Sequence, residues 1–166
     1  MDSIGMGGLG SPTALYLAAA GVGHLIIADF DQVELSNLQR QIIHRTADIG
    51  EDKVDSAKVK LLELNHNITV TVANEIMHSD NLASLIKDVD IVLDGTDNFE
   101  SRYLINRVCT QTKVAQISAA ALGFEGQLFV MDPNTQSSPC YQCLYPDANE
   151  EITCSQAGVL SPVVGV

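Results

Sequence analysis

The sequence predicts an α/β fold, a Rossmann-like doubly wound and mostly parallel sheet with an antiparallel extension after residue 123. Short apolar runs alternate with segments of helical period along most of the 166 residues. A glycine-rich turn stands near the start of the chain, directly before the first helical segment. The pattern changes after Gly123, where one more strand follows that is antiparallel or at the sheet edge.

Composition narrows the class of protein. A length of 166 residues suggests one domain, large enough to bury a core, and the residues are 46% apolar with only 5% aromatic. The net charge of −12 comes without a basic stripe, which argues against nucleic-acid binding. No apolar run approaches the roughly 20 residues of a membrane span, and the N-terminus lacks a secretory signal. We therefore expect a cytoplasmic protein without a membrane partner.

The first three elements follow from local signals. Residues 11–21 are predicted to form a helix, because Pro12 is tolerated at an early helical position and Gly21 marks a stop. Residues 24–29 form a buried strand. Residues 52–65 carry apolar side chains near helical spacing, which predicts a helix with one buried face.

The remaining elements continue the alternation. We predict strands at 68–74, 89–95, 114–121 and 124–132, and helices at 81–88 and 99–112. Strands that alternate with helices indicate a parallel sheet covered on both faces.

Both ends of the chain depart from a complete fold of this type. Only "MDSI" precedes the glycine turn, and two of these four residues are polar, so we expect the first strand to be incomplete. The last residues, "PVVGV", are an apolar run with nothing after them. The prediction is a single nucleotide-binding domain over residues 1–166, incomplete at both termini.

The glycine-rich turn has the spacing of a dinucleotide-binding loop. Gly5, Gly7 and Gly10 fit G-x-G-x-x-G, with Gly8 as an additional glycine. These positions allow a tight turn, close approach of phosphate and close packing of helix on strand. Asp29 follows 19 residues after Gly10, near the usual spacing of a ribose-binding acid. The motif alone leaves open a turn without ligand and a nicotinamide or flavin site.

A polar stretch after the second predicted strand adds groups that suit phosphate. It contains Ser36, Asn37, Gln39 and Arg40. The guanidinium of Arg40 can bind phosphate oxygens bidentately. A dehydrogenase needs only the acid at the strand end, not this stretch.

Two further charges complete the pattern. Lys53 opens a helix, and Asp97 lies in "DGTDN" after a strand whose end is expected to face the ligand. A lysine, an arginine and an acid together suggest attack on a phosphate assisted by Mg²⁺. The alternative is that Arg40 and Lys53 are solvated surface charges.

Several motifs together resemble the ThiF/MoeB/ubiquitin-activating enzyme superfamily. They are "GMGGLGSP", "ADFDQVELSNLQRQ", "IGEDKVDSAK", "DGTDN", "GFEGQL", "CYQCLYPD" and "TCSQAGVLSPVVGV". The resemblance covers nearly the whole chain, and "GFEGQL" and "YPD" favour the ThiF-like branch, with the MoeB-like branch close.

The resemblance implies an adenylyltransferase. Such enzymes use ATP and Mg²⁺ to adenylate the C-terminal glycine of a ubiquitin-like sulfur-carrier protein, in thiamin or molybdopterin biosynthesis. They release pyrophosphate, and a thiol or sulfurtransferase then takes the acyl group. A homodimer is expected from the resemblance only.

The resemblance also assigns roles by motif. Gly8 and Asp29 would hold the nucleotide, with Asp29 at the ribose. Lys53 would stabilise the α-phosphate, and Asp97 would ligate Mg²⁺ with Asn98 beside it. Ser36, Asn37, Gln39 and Arg40 would line the phosphates.

The cysteines suggest a structural metal site. Cys140 and Cys143 form C-x-x-C, half of a Zn²⁺ site, and the resemblance places the second pair beyond Val166. A redox pair and two cysteines without metal role remain alternatives. Cys154 corresponds to a cysteine that can bond covalently to the activated carrier, and Cys109 is expected in the core.

Other residues receive no catalytic role. The four histidines, at positions 24, 44, 66 and 78, show no ligand spacing. Phe124 and Phe129 are expected to pack in the core. The functional alternatives to the adenylating enzyme are a catalytically incomplete remnant that binds nucleotide or carrier, and an NAD-dependent oxidoreductase.

Overall fold

The computed structural model describes residues 1–135 and 138–146. Its strands are β1 (Asp2–Ile4), β2 (His24–Ala28), β3 (Thr69–Ala73), β4 (Ile91–Asp94), β5 (Ala115–Leu122) and β6 (Glu125–Met131). Its α-helices are α1 (Gly10–Ala20), α2 (Lys53–Leu64), α3 (Ser79–Ile86), α4 (Phe99–Thr112) and α5 (Tyr141–Leu144). The strands form one sheet in the order β3-β2-β1-β4-β5-β6.

The sheet confirms the predicted doubly wound architecture. Strands β1 to β5 pair in parallel, and β6 returns antiparallel to β5 after Gly123. Chain order reverses beside β1, since β2 and β3 lie on one side of it and β4 and β5 on the other. In open α/β sheets, ligands bind at the carboxyl ends of the strands at such a point.

The first strand is present, although its sequence is short and polar. Strand β1 pairs with β2 on one side and β4 on the other, and Ile4 is opposite both Ala28 and Asp94. Backbone hydrogen bonds on both edges hold this strand in the sheet, so it does not need an apolar run. The strand is three residues long, so the expectation that it is incomplete stays a prediction.

Helices cover the sheet from both faces. Helices α1 and α2 pack over one face with a core that includes Met6, Leu25, Ile27, Val54 and Leu61. Helices α3 and α4 pack on the other face, with a core that includes Leu82, Ile86, Val92, Ile105, Val108 and Cys109. Cys109 is fully buried, as predicted.

Helix ends follow their local chemistry. Gly21 has φ 82°, and it ends α1 with backbone N–H hydrogen bonds to carbonyl oxygens of the preceding turn. Asn98 caps α4, because its side-chain oxygen accepts from the amide of Ser101 at 2.8 Å. This cap fixes where the chain leaves β4 and turns into the helix.

The antiparallel extension corrects one packing prediction. The Phe124 side chain is 83% exposed, because it lies in the turn between β5 and β6, and the expectation that it belongs to the core is wrong. Phe129 packs against the core and meets the Tyr141 ring edge-on, with centroids 5.9 Å apart. Among the described residues, no helix combines the length and apolar character needed to cross a bilayer.

Candidate functional site

A cavity of about 220 Å³ opens at the carboxyl ends of the central strands. It brings together eight of the residues predicted from sequence: Gly5, Gly7, Gly8, Asp29, Arg40, Lys53, Asp97 and Asn98. The glycine loop and the ends of β2 and β4 form its walls. The residues singled out for phosphate, ribose and magnesium therefore share one space.

Three glycines allow the two sides of the cavity to approach each other. A Cβ at Gly10 would collide with the carbonyl oxygen of Gly5, and a Cβ at Gly95 would lie 3.2 Å from the amide nitrogen of Gly10. Gly5 also has φ 87°, a backbone conformation that disfavours any side chain. Gly10 thus acts in packing, as the motif predicts, and does not line the cavity.

Asp29 ties the glycine loop to the end of β2. Its Oδ2 accepts from the amide of Met6 at 2.7 Å, and its Oδ1 accepts from the amide of Asp31 at 2.9 Å. Burial raises the pKa of Asp29, while the nearby charge of Lys53 and the two amides act in the opposite direction. A carboxylate has further acceptor sites, so a bound hydroxyl remains possible beside these two bonds.

Lys53 is a buried cation of the site. Its Nζ donates to Oδ2 of Asp31 at 2.7 Å, and its side chain is only 6% exposed whereas that of Asp31 is 52% exposed. Backbone bonds hold the same two residues together, because the Lys53 amide donates to the Asp31 carbonyl at 2.9 Å. The cation is thus fixed at the start of α2 and faces the cavity.

Arg40 reaches the cavity, but its polar neighbours do not line it. Arg40 Nη1 donates to the carbonyl of Ser36 at 3.4 Å. The Ser36 hydroxyl donates to the Glu34 carboxylate at 3.1 Å and accepts from the side-chain Nδ2 of Asn37 at 3.1 Å. Gln39 is also outside the cavity lining. A phosphate role for Ser36, Asn37 and Gln39 therefore stays a prediction.

The loop after β4 carries Asp97 on a buried support. Asp97 is exposed and lines the cavity. Below it, Oδ1 of Asp94 accepts from the amide and the hydroxyl of Thr96, at 3.0 and 2.7 Å. Ser118 donates to Oδ2 of Asp94 at 2.8 Å. Burial raises the pKa of Asp94, against the effect of these hydrogen bonds and of the nearby Arg102 charge.

Arg102 is a site residue that sequence reasoning missed. Its Nη2 and Nε donate to the carbonyl of Thr96 at 2.7 and 3.2 Å, and its Nη1 donates to the Tyr141 hydroxyl at 3.4 Å. It lies in the cavity wall five residues after Asp97. An arginine one turn into a helix that begins after "TDN" is the available sequence signal.

The apolar part of the cavity was also missed. Phe30 and Ile76 are 58% and 66% exposed, and Met77 and Leu104 line the same space. Exposed apolar side chains around a polar centre suit the flat face of a ring. Phe30 follows the end of β2, Ile76 and Met77 follow the end of β3, and Leu104 lies in α4.

The cysteine pair lies outside this cavity. The sulfur atoms of Cys140 and Cys143 are 3.2 Å apart at the start of α5. Burial raises the pKa of Cys140, but hydrogen bonds from the thiol and amide of Cys143 outweigh it, and the net shift is downward. The two thiols fit half of a zinc site. Within the described part of the chain, no third histidine, cysteine or acid joins them. Cys154 lies outside the described residues.

A family comparison identifies the chain. The model of the ThiF family matches residues 3–166. The chain belongs to the ThiF family. Its fold as a doubly wound sheet with an antiparallel extension agrees with this membership.

Two curated relatives resemble this ThiF-family chain along 98% of its residues. The adenylyltransferase and sulfurtransferase MOCS3 of Culex quinquefasciatus is 47% identical over 166 residues, and the chain covers 37% of its length. The sulfur carrier protein ThiS adenylyltransferase of Escherichia coli is 47% identical over 164 residues, with 65% of its length covered. The ThiF-family chain thus spans between about a third and two thirds of these relatives.

A solved structure shows a similar arrangement. The crystal structure of E. coli tRNA N6-threonylcarbamoyladenosine dehydratase, TcdA, in complex with AMP has a TM-score of 0.70 and 27% sequence identity. The match covers 74% of this ThiF-family chain and 51% of TcdA.

Proposed function

We propose that this chain carries the nucleotide site of an enzyme that adenylates the C-terminal glycine of a ubiquitin-like sulfur-carrier protein with ATP. The observation that carries the proposal is the cavity that Arg40, Lys53 and Asp97 line together with the glycine loop. Two comparisons support it. Both curated relatives are named adenylyltransferases, and the similar structure of TcdA was solved in complex with AMP.

The phosphates are proposed to bind over the glycine loop. Gly7 and Gly8 line the cavity without side chains, so an anion can approach the backbone amides there. Arg40 and Lys53 supply two positive charges on the same side. Preorganised cations of this kind stabilise negative charge that develops in a transition state.

The nucleoside is proposed to occupy the region near β2 and β3. Asp29 would accept from a ribose hydroxyl through its remaining acceptor sites. Phe30, Ile76 and Met77 provide apolar surface for the base. This places the α-phosphate between the ribose acid and the lysine that begins α2.

Adenylation needs no nucleophile from the chain. A carboxylate oxygen of the carrier glycine attacks the α-phosphorus, and the bond to the leaving pyrophosphate oxygen breaks. Lys53 and Arg40 would stabilise the added negative charge, and their fixed positions would reduce the entropic cost. Asp97 is the residue proposed to hold Mg²⁺, which would neutralise phosphate charge when bound. One exposed carboxylate suits this ion, which proteins commonly bind through one or two carboxylates.

The remaining roles are predictions from the resemblance. Cys140 and Cys143 would supply two of four ligands to a structural Zn²⁺. The thiol of Cys154 would accept the acyl group after adenylation, with AMP as the leaving group. We also propose that the chain forms a homodimer, which analytical ultracentrifugation tests. A sulfurtransferase is the proposed partner enzyme.

Pyrophosphate exchange tests the proposed function. The expected result is exchange of labelled pyrophosphate into ATP only in the presence of a carrier that ends in Gly-Gly. A carrier truncated by its last two residues is the matched control, since it keeps the folded surface and lacks the attacking carboxylate.

Other outcomes separate the alternatives. Binding of carrier and ATP without any exchange would favour a catalytically incomplete remnant. Saturable quenching of NADH fluorescence, together with no exchange, would favour an oxidoreductase and contradict the proposal.

A further inference from the structure

The loop after β4, residues 95–98, is held on both sides of Asp97. Before it, the Thr96 amide donates to Oδ1 of Asp94 at 3.0 Å. After it, the side chain of Asn98 caps α4. Between these fixed points lies the Thr96 carbonyl, which belongs to the same planar peptide unit as the Asp97 amide. The orientation of this carbonyl therefore sets the direction in which the chain enters Asp97.

Arg102 donates twice to this carbonyl. Its Nη2 and Nε lie 2.7 and 3.2 Å from the Thr96 oxygen. A carbonyl oxygen has two lone pairs, and a guanidinium presents its N–H groups in a rigid plane, so two bonds define the orientation of the peptide unit better than one. Bonds from a charged donor are also about twice as strong as neutral ones. A cation from α4 thus holds the peptide that precedes Asp97.

Arg102 is buried without an ion-pair partner. The residue is 9% exposed, and none of the ion pairs among the described residues includes it. The buried carboxylate of Asp94 interacts with this charge without pairing, since its oxygens accept from other groups. The ring of Phe99 is the other neighbour, with its centroid 5.9 Å from Cζ of the arginine. Because burial of an unpaired charge is costly, packing alone does not account for an arginine here.

Tyr141 binds the third nitrogen of the guanidinium. Nη1 of Arg102 donates to the tyrosine hydroxyl at 3.4 Å, a long bond. The tyrosine is itself fixed, since it is 4% exposed and its amide donates to Oδ1 of Asn106 at 2.7 Å. Its ring packs among those of Phe99, Tyr103, Phe129 and Tyr145, with centroids 4.9 to 6.5 Å away. Because Tyr141 lies inside the C-x-x-C turn, Arg102 joins this turn to the loop that carries Asp97.

A direct role as phosphate ligand is the alternative for Arg102, since it lines the cavity. Three of its five N–H groups already donate to Thr96 and Tyr141, however. These bonds leave the guanidinium less free to follow a ligand than the exposed carboxylate of Asp97. The contacts therefore favour action through the loop.

We propose that Arg102 is a positioning residue: through the Thr96 carbonyl it fixes the loop that carries Asp97, and Tyr141 in the cysteine turn fixes Arg102 in its place. The Asp97 carboxylate is then held ready for a divalent cation at the cavity. The link to Mg²⁺ rests on the proposed function, whereas the support of the loop does not.

Side-chain NMR tests the central contact in the unsubstituted protein without ligand. We expect a scalar coupling across the hydrogen bond, between a side-chain nitrogen of Arg102 and the carbonyl carbon of Thr96. The Nε proton of Arg102 should also exchange with water more slowly than that of Arg107, an exposed arginine on the same helix. Equally fast exchange at the two arginines would overturn the proposal.

Arg102→Met removes the donors and keeps an unbranched side chain. We expect the order parameter of the Asp97 amide, measured by ¹⁵N relaxation without ligand, to fall from about 0.85 to below about 0.6, the values of a rigid and a flexible backbone. Arg107→Met is the matched control and should leave it unchanged. An unchanged order parameter in Arg102→Met would overturn the proposal. If this variant does not fold, Arg102→Lys takes its place, with a smaller expected fall because the charge remains and the planar fork is lost.

Magnesium dependence separates positioning from direct binding of phosphate. Arg102→Met should raise the Mg²⁺ concentration for half-maximal pyrophosphate exchange about tenfold, the scale of one lost hydrogen bond, while the maximal rate at saturating Mg²⁺ stays within about threefold. Arg107→Met should change neither. A higher KM for ATP at saturating Mg²⁺, with an unchanged Mg²⁺ midpoint, would make Arg102 a phosphate ligand and overturn the proposal.

Tyr141→Phe tests the outer support, since it removes the hydroxyl and keeps the ring. We expect the Mg²⁺ midpoint to rise by about threefold, because the lost bond is long, and to rise no further in the Arg102→Met background. Additive shifts would show that Tyr141 acts separately from Arg102 and would overturn that part of the proposal. If the unsubstituted protein shows no exchange, the proposed function fails, yet the NMR comparisons still test the support of the loop.

Discussion

The two walls of the cavity differ in how they hold the charged residues that the sequence predicted to act there. On the β2–α2 side, Lys53 is buried and paired with Asp31 at 2.7 Å, and Arg40 donates to a backbone carbonyl. On the β4–α4 side, Asp97 is exposed. The carboxylate below it, Asp94, is buried and accepts hydrogen bonds from Thr96 and Ser118. The first wall holds its cations in place before any ligand arrives, which suits a fixed anion such as phosphate. The second wall presents a carboxylate to water, which suits a cation that keeps part of its hydration.

Removing the carboxylate of the second wall has the largest expected effect. Asp97→Ala should lower the rate of carrier-dependent pyrophosphate exchange at least ~10²-fold, the scale of one lost charge contact in a transition state. Glu100→Ala, which removes an exposed acid from the first turn of the following helix, is the control. A near-normal exchange rate in Asp97→Ala at limiting Mg²⁺ would contradict a role of Asp97 in the reaction.

Removing charge from the first wall should cost about as much. We expect Arg40→Ala to lower exchange by about 10²-fold, whereas Arg40→Lys keeps a charge and loses only the bidentate geometry, so its loss should be smaller, about tenfold. Steady-state exchange at varied ATP measures both. Arg45→Ala, at an exposed arginine, controls for the loss of surface charge. Equal rates in Arg40→Ala and the Arg45 variant would contradict a phosphate contact.

Replacing Asp94, the buried carboxylate below Asp97, is expected to change the free energy of unfolding and not ligand binding. Because burial raises the pKa of Asp94, the folded state takes up a proton there more readily than the unfolded chain. This carboxyl therefore favours the folded state most below its unfolded pKa, and that contribution is lost as pH rises through the folded pKa.

Asp94→Asn has no such titration. The free energy of unfolding of this variant, minus that of the unsubstituted protein, should be larger at pH 7 than at pH 4 by about 1 to 3 kcal/mol. Urea denaturation at the two pH values measures the difference, with the exposed Asp88→Asn as control. A difference that shrinks with rising pH would show that Asp94 is stabilised as a charge.

The smallest effect is expected for a residue assigned to a later step. Cys154→Ala should leave pyrophosphate exchange within about twofold, because the carboxylate of the carrier is the attacking group during adenylation. Mass spectrometry of the carrier–enzyme adduct should show the covalent species disappear. Loss of exchange in this variant would show that adenylation and acyl transfer are not separate.

Sequence alone was sufficient where a property is local or periodic. The alternation of apolar runs predicted the parallel sheet, and the spacing of Gly5, Gly7 and Gly10 predicted the turn and its close packing. Arg40 and Lys53 were placed in one cavity with Asp97 because strand ends in such a sheet meet.

Properties that depend on tertiary partners were missed. The strand at Asp2–Ile4 exists because both its edges are paired, which no hydropathy pattern records. Arg102 is recognised as a site residue only when its burial and its backbone partner, Thr96, are known. Ser36 lies outside the cavity lining and donates to Glu34, so its expected place at the phosphates stays a prediction.

The contact of Gly5, Gly10 and Gly95 means that the main chain sets the width of the cleft between the two walls. Backbone atoms touch where the glycine loop meets the loop after β4, so no side-chain replacement can bring the two walls nearer. A substitution at these three positions can only push them apart. What the cleft admits can therefore be altered at its rim, through exposed side chains such as Phe30 and Ile76, without moving the backbone of the two walls.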